Sequence, residues 1–422
     1  MKISIIQPSR NNLKYLKWSY AAIRKNQGDH EVQICIADDA STDGTREWLE
    51  EISVDDPNLS FIVNDSGNRV GHTILYDRLV NEVAEHDVCM IFHADMYLAE
   101  GALDSIEYAL YDLETTKEDT HKHLKVVERY KTIVSLTRIE PPLHPPGPEK
   151  IVKNFGTEPE QFLPTEFDSW VQWYLQNNDK SKTTEGIFAP WAFFKRDFQE
   201  IGGHDPLYAP QSKEDSDIFN RFHLNGCKFI QVWDGFVYHM TCRGSRFNPT
   251  LTSIGKNSDE WNAQNMRSSR NFIRKWGHFV KHDRFMKPIV PPKYDVGLVV
   301  HNCNSKLLAA LEPWCSDIYV DMDDDMVYVY TNREQKNTTI DLESKIHYMK
   351  DPITNDVVVV IDGNLISEAD ANYIQMLSEI LADSGEAGQQ MGIGNLRITI
   401  NKLDTYENDL IVCEENKIKE LV

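Results

Sequence analysis

Acids and histidines that close apolar runs are the residues of this sequence best placed to do chemistry. The stretch Asp87-Val88-Cys89-Met90-Ile91-Phe92-His93-Ala94-Asp95-Met96 is apolar from Val88 to Phe92 and ends in His93 and Asp95. A carboxylate at such a strand end suits Mn2+ or Mg2+, ions that take oxygen ligands and bridge phosphate oxygens. His239 follows the apolar Phe236-Val237-Tyr238 and would add an imidazole, a ligand that suits Mn2+ better than Mg2+. Asp38-Asp39 close a second apolar run, Val32 to Ala37, and the Asp39 carboxylate can accept from a base N–H. Glu214-Asp215-Ser216-Asp217 open an amphipathic stretch. Asp215 is a candidate general base for a hydroxyl proton, and a neighbouring acid could raise its pKa.

Each of these residues also has a plain structural reading. Asp38, Ser41 and Asp43 can cap a turn, and acids at a helix start answer the helix dipole. Trp191 offers a ring face to sugar C–H groups, or fills the core beside Phe188, Phe193 and Phe194. Arg243 and Arg246 can clamp a diphosphate from a loop, or stand solvated. Asp321-Met322-Asp323-Asp324-Asp325 reads as a solvated acidic turn between two strands.

The elements that must position these groups alternate. Strands are expected at Lys2 to Gln7 (stopped by Pro8), Val32 to Ala37, Leu59 to Val63 and Val88 to Phe92. Helices are expected between them at Leu13 to Lys25, Thr45 to Ile52 and Thr73 to Ala84. That β-α-β-α-β-α-β order implies an α/β fold, a mostly parallel Rossmann-like sheet with helices on both faces and ligands at the strand C-termini. Further along, Val126 to Leu136 reads as a strand and the proline-rich Arg138 to Pro148 as a loop. Phe167 to Leu175 and Glu214 to Asn225 read as helices, and Lys228 to Val232 and Phe236 to His239 as two strands. Asn262 to Trp276 reads as a helix and Pro288 to Pro292 as a linker. A second small α/β unit follows, with strands at Val296 to His301, Ile318 to Val320, Met326 to Tyr330, Val357 to Ile361 and Leu396 to Ile400, a helix at Glu368 to Leu381, and no sequence repeat of the first.

The chain has 422 residues, enough for two domains, and a formal net charge of -22. Such acidity argues against a nucleic-acid binder, which needs a basic face. The residues from Pro291 onward carry -14 of that charge, which marks a domain boundary near residue 290. Domains are expected at 1–285 (halves 1–97 and 98–285) and 295–422, joined by 286–294. The seven cysteines are scattered without a CxxC, which suggests free thiols in a reducing cytoplasm. Neither a transmembrane span nor a signal-peptide pattern is read.

Five motifs in order resemble the family 2 glycosyltransferases with a GT-A fold, over about the first 285 residues. Ile3 to Asn11 resembles the opening strand and turn; Ile36 to Thr45 resembles the Val-Val-Asp-Asp-Gly-Ser-Thr-Asp-Gly-Thr segment. Phe92-His93-Ala94-Asp95 stands at the DXD place. Ile201-Gly202-Gly203-His204-Asp205 is similar to Gly-Gly-Phe-Asp, and Glu214 to Phe222 to the Glu-Asp-x-Asp segment. The resemblance implies a donor site from Pro8, Ser9, Arg10, Asp39, Arg69, His72, His93, Ala94, Asp95, Arg243 and Arg246. It implies acceptor contacts at Trp191, Gly203 and His204, catalysis by Asp215 with Glu214, and metal held by Asp95 and His239. The implied activity is inverting transfer from a nucleotide-diphosphate sugar, UDP-linked by expectation, to a glycan or other hydroxyl acceptor. Three positions depart from the family: Arg10 replaces an aromatic, His93 replaces the first acid of the DXD, and His72 stands where an arginine is usual, with Arg69 nearby. The departures leave open a catalytically inactive sugar-nucleotide or glycan-binding protein, and more remotely a nucleotidyltransferase. The C-terminal unit lies outside the resemblance and could bind acceptor, mediate oligomerisation or be a second catalytic unit.

Overall fold

The computed structural model describes residues 1–111, 131–241 and 257–413. These pack as two compact units. The first takes Met1–Asn262 and His282–Pro288, with Val412 and Cys413; the second takes Ala263–Lys281 and Ile289–Ile411. The boundary is therefore interleaved: the chain enters the second unit along one helix, Asp259–Trp276, returns briefly, and leaves again.

In the first unit the strands are β1 (Lys2–Ser9), β2 (Glu31–Asp38), β3 (Leu59–Val63), β4 (Val88–Ile91), β5 (Met96–Leu98), β6 (Thr132–Glu140), β7 (Lys150–Val152), β8 (Thr183–Thr184), β9 (Trp191–Phe194) and β10 (Lys228–His239). They form one sheet in the order β3-β2-β1-β4-β9-β6-β10-β5, with β7 on β6 and β8 on β10. β1 to β4 are mutually parallel, as the alternating pattern requires. Ile3, Ile5, Ile34, Ile36, Cys89 and Met90 are buried, so this half carries apolar residues on both faces. Only residues 92–95 separate β4 from β5, although β5 lies at the far edge. Four strand spacings come to about 19 Å, roughly the reach of that short link, so the sheet must curl to bring its edge back to the β4 end.

Several expected boundaries move. Pro8 does not stop β1: the carbonyl of Ile6 meets β4 and that of Ser9 meets the β2 side, so Pro8 faces β4 beyond the last rung, at Ile6, and forfeits no ladder bond. Arg138 to Glu140 belong to β6 rather than to the proline-rich loop, since a residue before proline favours the extended state that Glu140 adopts. The two strands expected between Lys228 and His239 are one, with an irregularity between Val232 and Phe236. Residues 126–130 of the expected strand at Val126 to Leu136 lie outside the described residues.

The second unit holds β11 (Val296–His301), β12 (Asp317–Val320), β13 (Ile346–Tyr348), β14 (Val357–Asp362), β15 (Gln390–Ile393) and β16 (Leu396–Ile400) in the order β13-β12-β11-β14-β16-β15. β11 to β14 are parallel, and their order repeats the third-second-first-fourth arrangement of β1 to β4. The sequence carries no visible repeat; strand order shows one. Met326 to Tyr330, expected as a strand, lies in the helix Asp324–Glu334. Asp324 and Asp325 occupy its first turn; Val327 is buried and the Tyr330 hydroxyl donates to Glu312 at 3.0 Å, while Tyr328 and Val329 face solvent without a sheet partner. The helix expected at Glu368 to Leu381 is broken at Met376 into Glu368–Gln375 and Leu377–Ser384. Beneath this sheet Glu312 is fully buried and meets Arg274 at 2.7 Å and Lys345 at 2.9 Å.

Candidate active site

Strand register assembles the candidate site. β5 runs antiparallel to β10 with Met96 opposite His239, and the Met240 amide donates to the Asp95 carbonyl at 3.0 Å. Asp95 and His239, 144 positions apart, are thereby placed side by side: Nε2 of His239 lies 3.5 Å from Oδ1 of Asp95. The His93 carbonyl accepts from Nε2 of Gln7 at 3.2 Å and from the Met96 amide at 3.2 Å, which fixes the turn after β4 to β1. His93, Asp95 and His239 each offer one ligand atom, and these atoms lie within 4.8 Å of one another. A mixed imidazole and carboxylate set of this size could hold a divalent cation.

Glu140 completes the group, and the sequence reading missed it. At the end of β6 it is buried and lies 2.9 Å from Nδ1 of His239. Nη1 of Arg138 at 2.9 Å and Nζ of Lys150 at 2.9 Å hold its two oxygens. Burial raises a carboxyl pKa, but His239, Arg138 and Lys150 outweigh it and hold Glu140 well below the usual carboxylate range. Burial likewise opposes charge on His239, yet Asp95 and Glu140 lift it to about 9. His93 goes the other way, pushed by burial to about 4. The signal for Glu140 was weak: it closes a strand in which Ser135, Thr137 and Arg138 interrupt the apolar residues, and Pro141 follows it at once.

The second group stands at the start of the helix Glu214–Leu224. Ser212 (φ 80°) and Lys213 (φ 72°) take left-handed conformations that turn the chain into it. Glu214 is buried and pairs with Nε2 of His72 at 2.6 Å. Burial opposes ionisation of Glu214, but His72 holds its pKa below the ordinary value. Asp215 is partly buried; burial, then the adjacent Glu214, raise its pKa to about 6. The two groups share one electrostatic neighbourhood: His93 feels His72 and Glu214 besides Asp95 and His239, and the buried Tyr76 hydroxyl feels Asp95, Glu214 and Asp215.

On the β1–β2 side, Asp39 is buried, and its amide donates to the Ser9 carbonyl at 2.9 Å. Nη1 of Arg10 donates to the Asp39 carbonyl at 2.7 Å. The Asp39 carboxylate accepts from Nδ2 of Asn64 (2.8 Å) and the amides of Val70 (3.0 Å) and Gly71 (2.9 Å). Here it therefore anchors the loop that carries Arg69 and His72. Arg69 reaches Oε1 of Gln211 at 2.7 Å. Gly71 (φ +91°) meets Pro210 so closely that a Cβ would lie 2.2 Å from its backbone.

The expected acceptor residues are placed differently. Trp191 is 0 % exposed and packs on Phe193, Phe219 and Phe222, so it presents no face to a sugar. The core reading holds because β9 is sandwiched between β4 and β6. His204 is buried and pairs with Asp77 at 2.7 Å. Gly203 (φ +65°) lies against the same Asp77, where a Cβ would be 2.1 Å from Oδ2. Both serve packing rather than an exposed contact. Pro8 and Ala94 sit in the strand and turn that hold Arg10 and Asp95. Arg243 and Arg246 lie outside the described residues. Among the described residues, no helix is long and apolar enough to cross a membrane.

No curated protein matches the chain in sequence. Among solved structures, GalNAc-T7, crystallised with UDP, GalNAc and Mn2+, is 13% identical with a TM-score of 0.42, over 65% of this chain and 48% of its own. S. aureus TarS is 15% identical with a TM-score of 0.41, over 65% of this chain and 40% of its own. The mannosyltransferase PcManGT from Pyrobaculum calidifontis, in complex with GDP-Man and Mn2+, is 15% identical with a TM-score of 0.38, over 63% of this chain and 61% of its own. The chain thus spans between 40% and 61% of these structures. The family model described as Glycosyl transferase family 2 matches residues 4–197. The matched segment includes Asp39, His72, His93, Asp95 and Glu140, while Glu214, Asp215 and His239 follow it in the chain.

Proposed function

We propose that the chain is a glycosyltransferase that moves a sugar from a nucleotide-diphosphate donor to an acceptor hydroxyl with inversion. The observation that carries this reading is the convergence of His93, Asp95 and His239 beside Glu214 and Asp215, within one electrostatic neighbourhood.

Ser9, Arg10 and Asp39 stand at the C-terminal ends of β1 and β2, where such sheets take nucleotides. Arg10 offers a guanidinium plane to the base. Asp39 accepts two loop donors on Oδ1 and one on Oδ2, which leaves one acceptor site on Oδ2 for a base N–H. In the alternative it serves the donor indirectly, by holding Arg69 and His72 in place. Asp95, His93 and His239 would hold a divalent cation, whose charge would offset that of the departing diphosphate. Asp215 takes the acceptor proton as the hydroxyl oxygen attacks the anomeric carbon from the side opposite the leaving group. That single displacement inverts the anomeric centre. Glu214 supports Asp215 by keeping its proton affinity high, and it anchors His72. A UDP-linked donor, a glycan acceptor and a cytoplasmic setting complete the proposal.

The test is transfer by the purified full chain against a panel of nucleotide sugars, with Mn2+ or Mg2+ and with a chelator. Release of nucleoside diphosphate that depends on the cation and disappears in Asp215→Asn supports the reading. Binding without turnover across the panel would favour the non-catalytic alternative.

A further inference from the structure

We propose that Glu140 is a positioning residue that makes the site select Mn2+ over Mg2+, by holding His239 with Nε2 turned towards Asp95. This rests on the metal reading above and adds to it a residue from outside the ligand set.

The argument is one of hydrogen-bond capacity. Glu140 is wedged between Nη1 of Arg138 and Nζ of Lys150, both at 2.9 Å, and these cations keep it ionised. An ionised carboxylate only accepts. The ring atom 2.9 Å away, Nδ1 of His239, must therefore carry the proton. Once the Nε2 proton that faces Asp95 leaves to a base, Glu140 keeps the Nδ1 proton in place, and the lone pair lies on Nε2, the atom 3.5 Å from Asp95. The arrangement fixes both tautomer and ring orientation, which is how a carboxylate behind a histidine tunes a metal ligand. Its effect falls on the nitrogen ligand. Mg2+ prefers an all-oxygen shell, whereas Mn2+ accepts imidazole. Strengthening His239 as a ligand therefore raises Mn2+ affinity and leaves Mg2+ affinity nearly unchanged.

The arrangement is built into the fold. Arg138 and Glu140 are two residues apart on β6, and Lys150 begins β7 opposite Arg138. Arg138 also lies over the Phe188 ring at 3.8 Å, which holds the guanidinium in place.

The experiment is calorimetric titration of the full chain with MnCl2 and, separately, MgCl2, without donor or acceptor. Glu140→Gln is expected to weaken Mn2+ binding by about 10–100-fold and to change Mg2+ binding by less than about threefold. Glu140 acts through His239, so Glu140→Gln should add nothing in a His239→Ala background. Should the amide variant unfold in a thermal melt, Glu140→Asp keeps the charge, shortens the reach and should show the same selective loss. Three results overturn the proposal. Equal losses for both ions would mean general damage. Additive losses in the double variant would mean that Glu140 acts elsewhere. Unchanged Mn2+ affinity in a folded Glu140 variant would mean no positioning role. If the unmodified chain binds neither ion, the metal reading itself falls and takes this one with it; loss of sensitivity to Glu140 alone leaves that reading standing.

Discussion

The pH dependence of transfer gives the sharpest test of Asp215. Burial and the adjacent Glu214 raise its pKa to about 6. A general base works in its ionised form, so the sign is fixed: activity is full above this value and falls as protons bind below it. With a single base, kcat/KM should drop about tenfold per pH unit below roughly pH 6. Replacing Glu214 by Gln removes the like charge next door and should move this acid limb downward. Burial is the larger cause and remains, so the displacement is on the order of one unit, or about 1.4 kcal/mol between the two protonation states. Asp215→Asn should remove the limb together with about 10²–10⁴ of the rate, while donor affinity is retained. The assay is initial-rate release of nucleoside diphosphate from pH 4.5 to 8.5 at saturating metal, with donor affinity measured separately for each variant. A limb that stays in place in Glu214→Gln, or near-normal turnover by Asp215→Asn, would refute the assignment.

Other perturbations separate site from scaffold. Gly71→Ala forces a Cβ against the Pro210 backbone at a positive φ and should destabilise by about 1–3 kcal/mol, with donor affinity falling because Arg69 and His72 share its loop; denaturant melts and donor titration read the two effects. Trp191→Ala should cost about 3–5 kcal/mol of stability by leaving a core cavity; unchanged stability with a raised acceptor KM would restore the platform reading. Glu312→Gln leaves Arg274 and Lys345 facing a neutral amide in the core of the second unit and should cost about 3–5 kcal/mol, seen as a lower midpoint in urea. Chelation should abolish transfer, and Mn2+ should restore it more fully than Mg2+ in a rate assay after dialysis.

The sequence was most legible where one element acts alone. The helix Thr45–Ile52 and the strands Leu59–Val63 and Leu396–Ile400 fall at the expected positions, because local periodicity and turn residues define them. Met326 to Tyr330 misled, because β-branched and aromatic residues favour strands only when a sheet is there to receive them. Glu140 was hidden by the prolines after it, which restrict the chain beyond the strand and do not shorten the strand itself.

By itself the sequence determined the alternating β-α order, and with it the strand ends that carry Asp39, His93 and Asp95 and the acidic helix start at Glu214 and Asp215. These are local properties of patterning. Tertiary structure alone decided who meets whom. The Met96–His239 register sets His239 beside Asp95, parallel pairing of β6 and β10 sets Glu140 behind it, and the loop tied down by Asp39 delivers His72 to Glu214. It also decided that Trp191 and His204 are core. Partners far apart in sequence leave no local signature, because their contact depends on register and sheet order, and a one-residue slip in either would turn the same side chains away from one another.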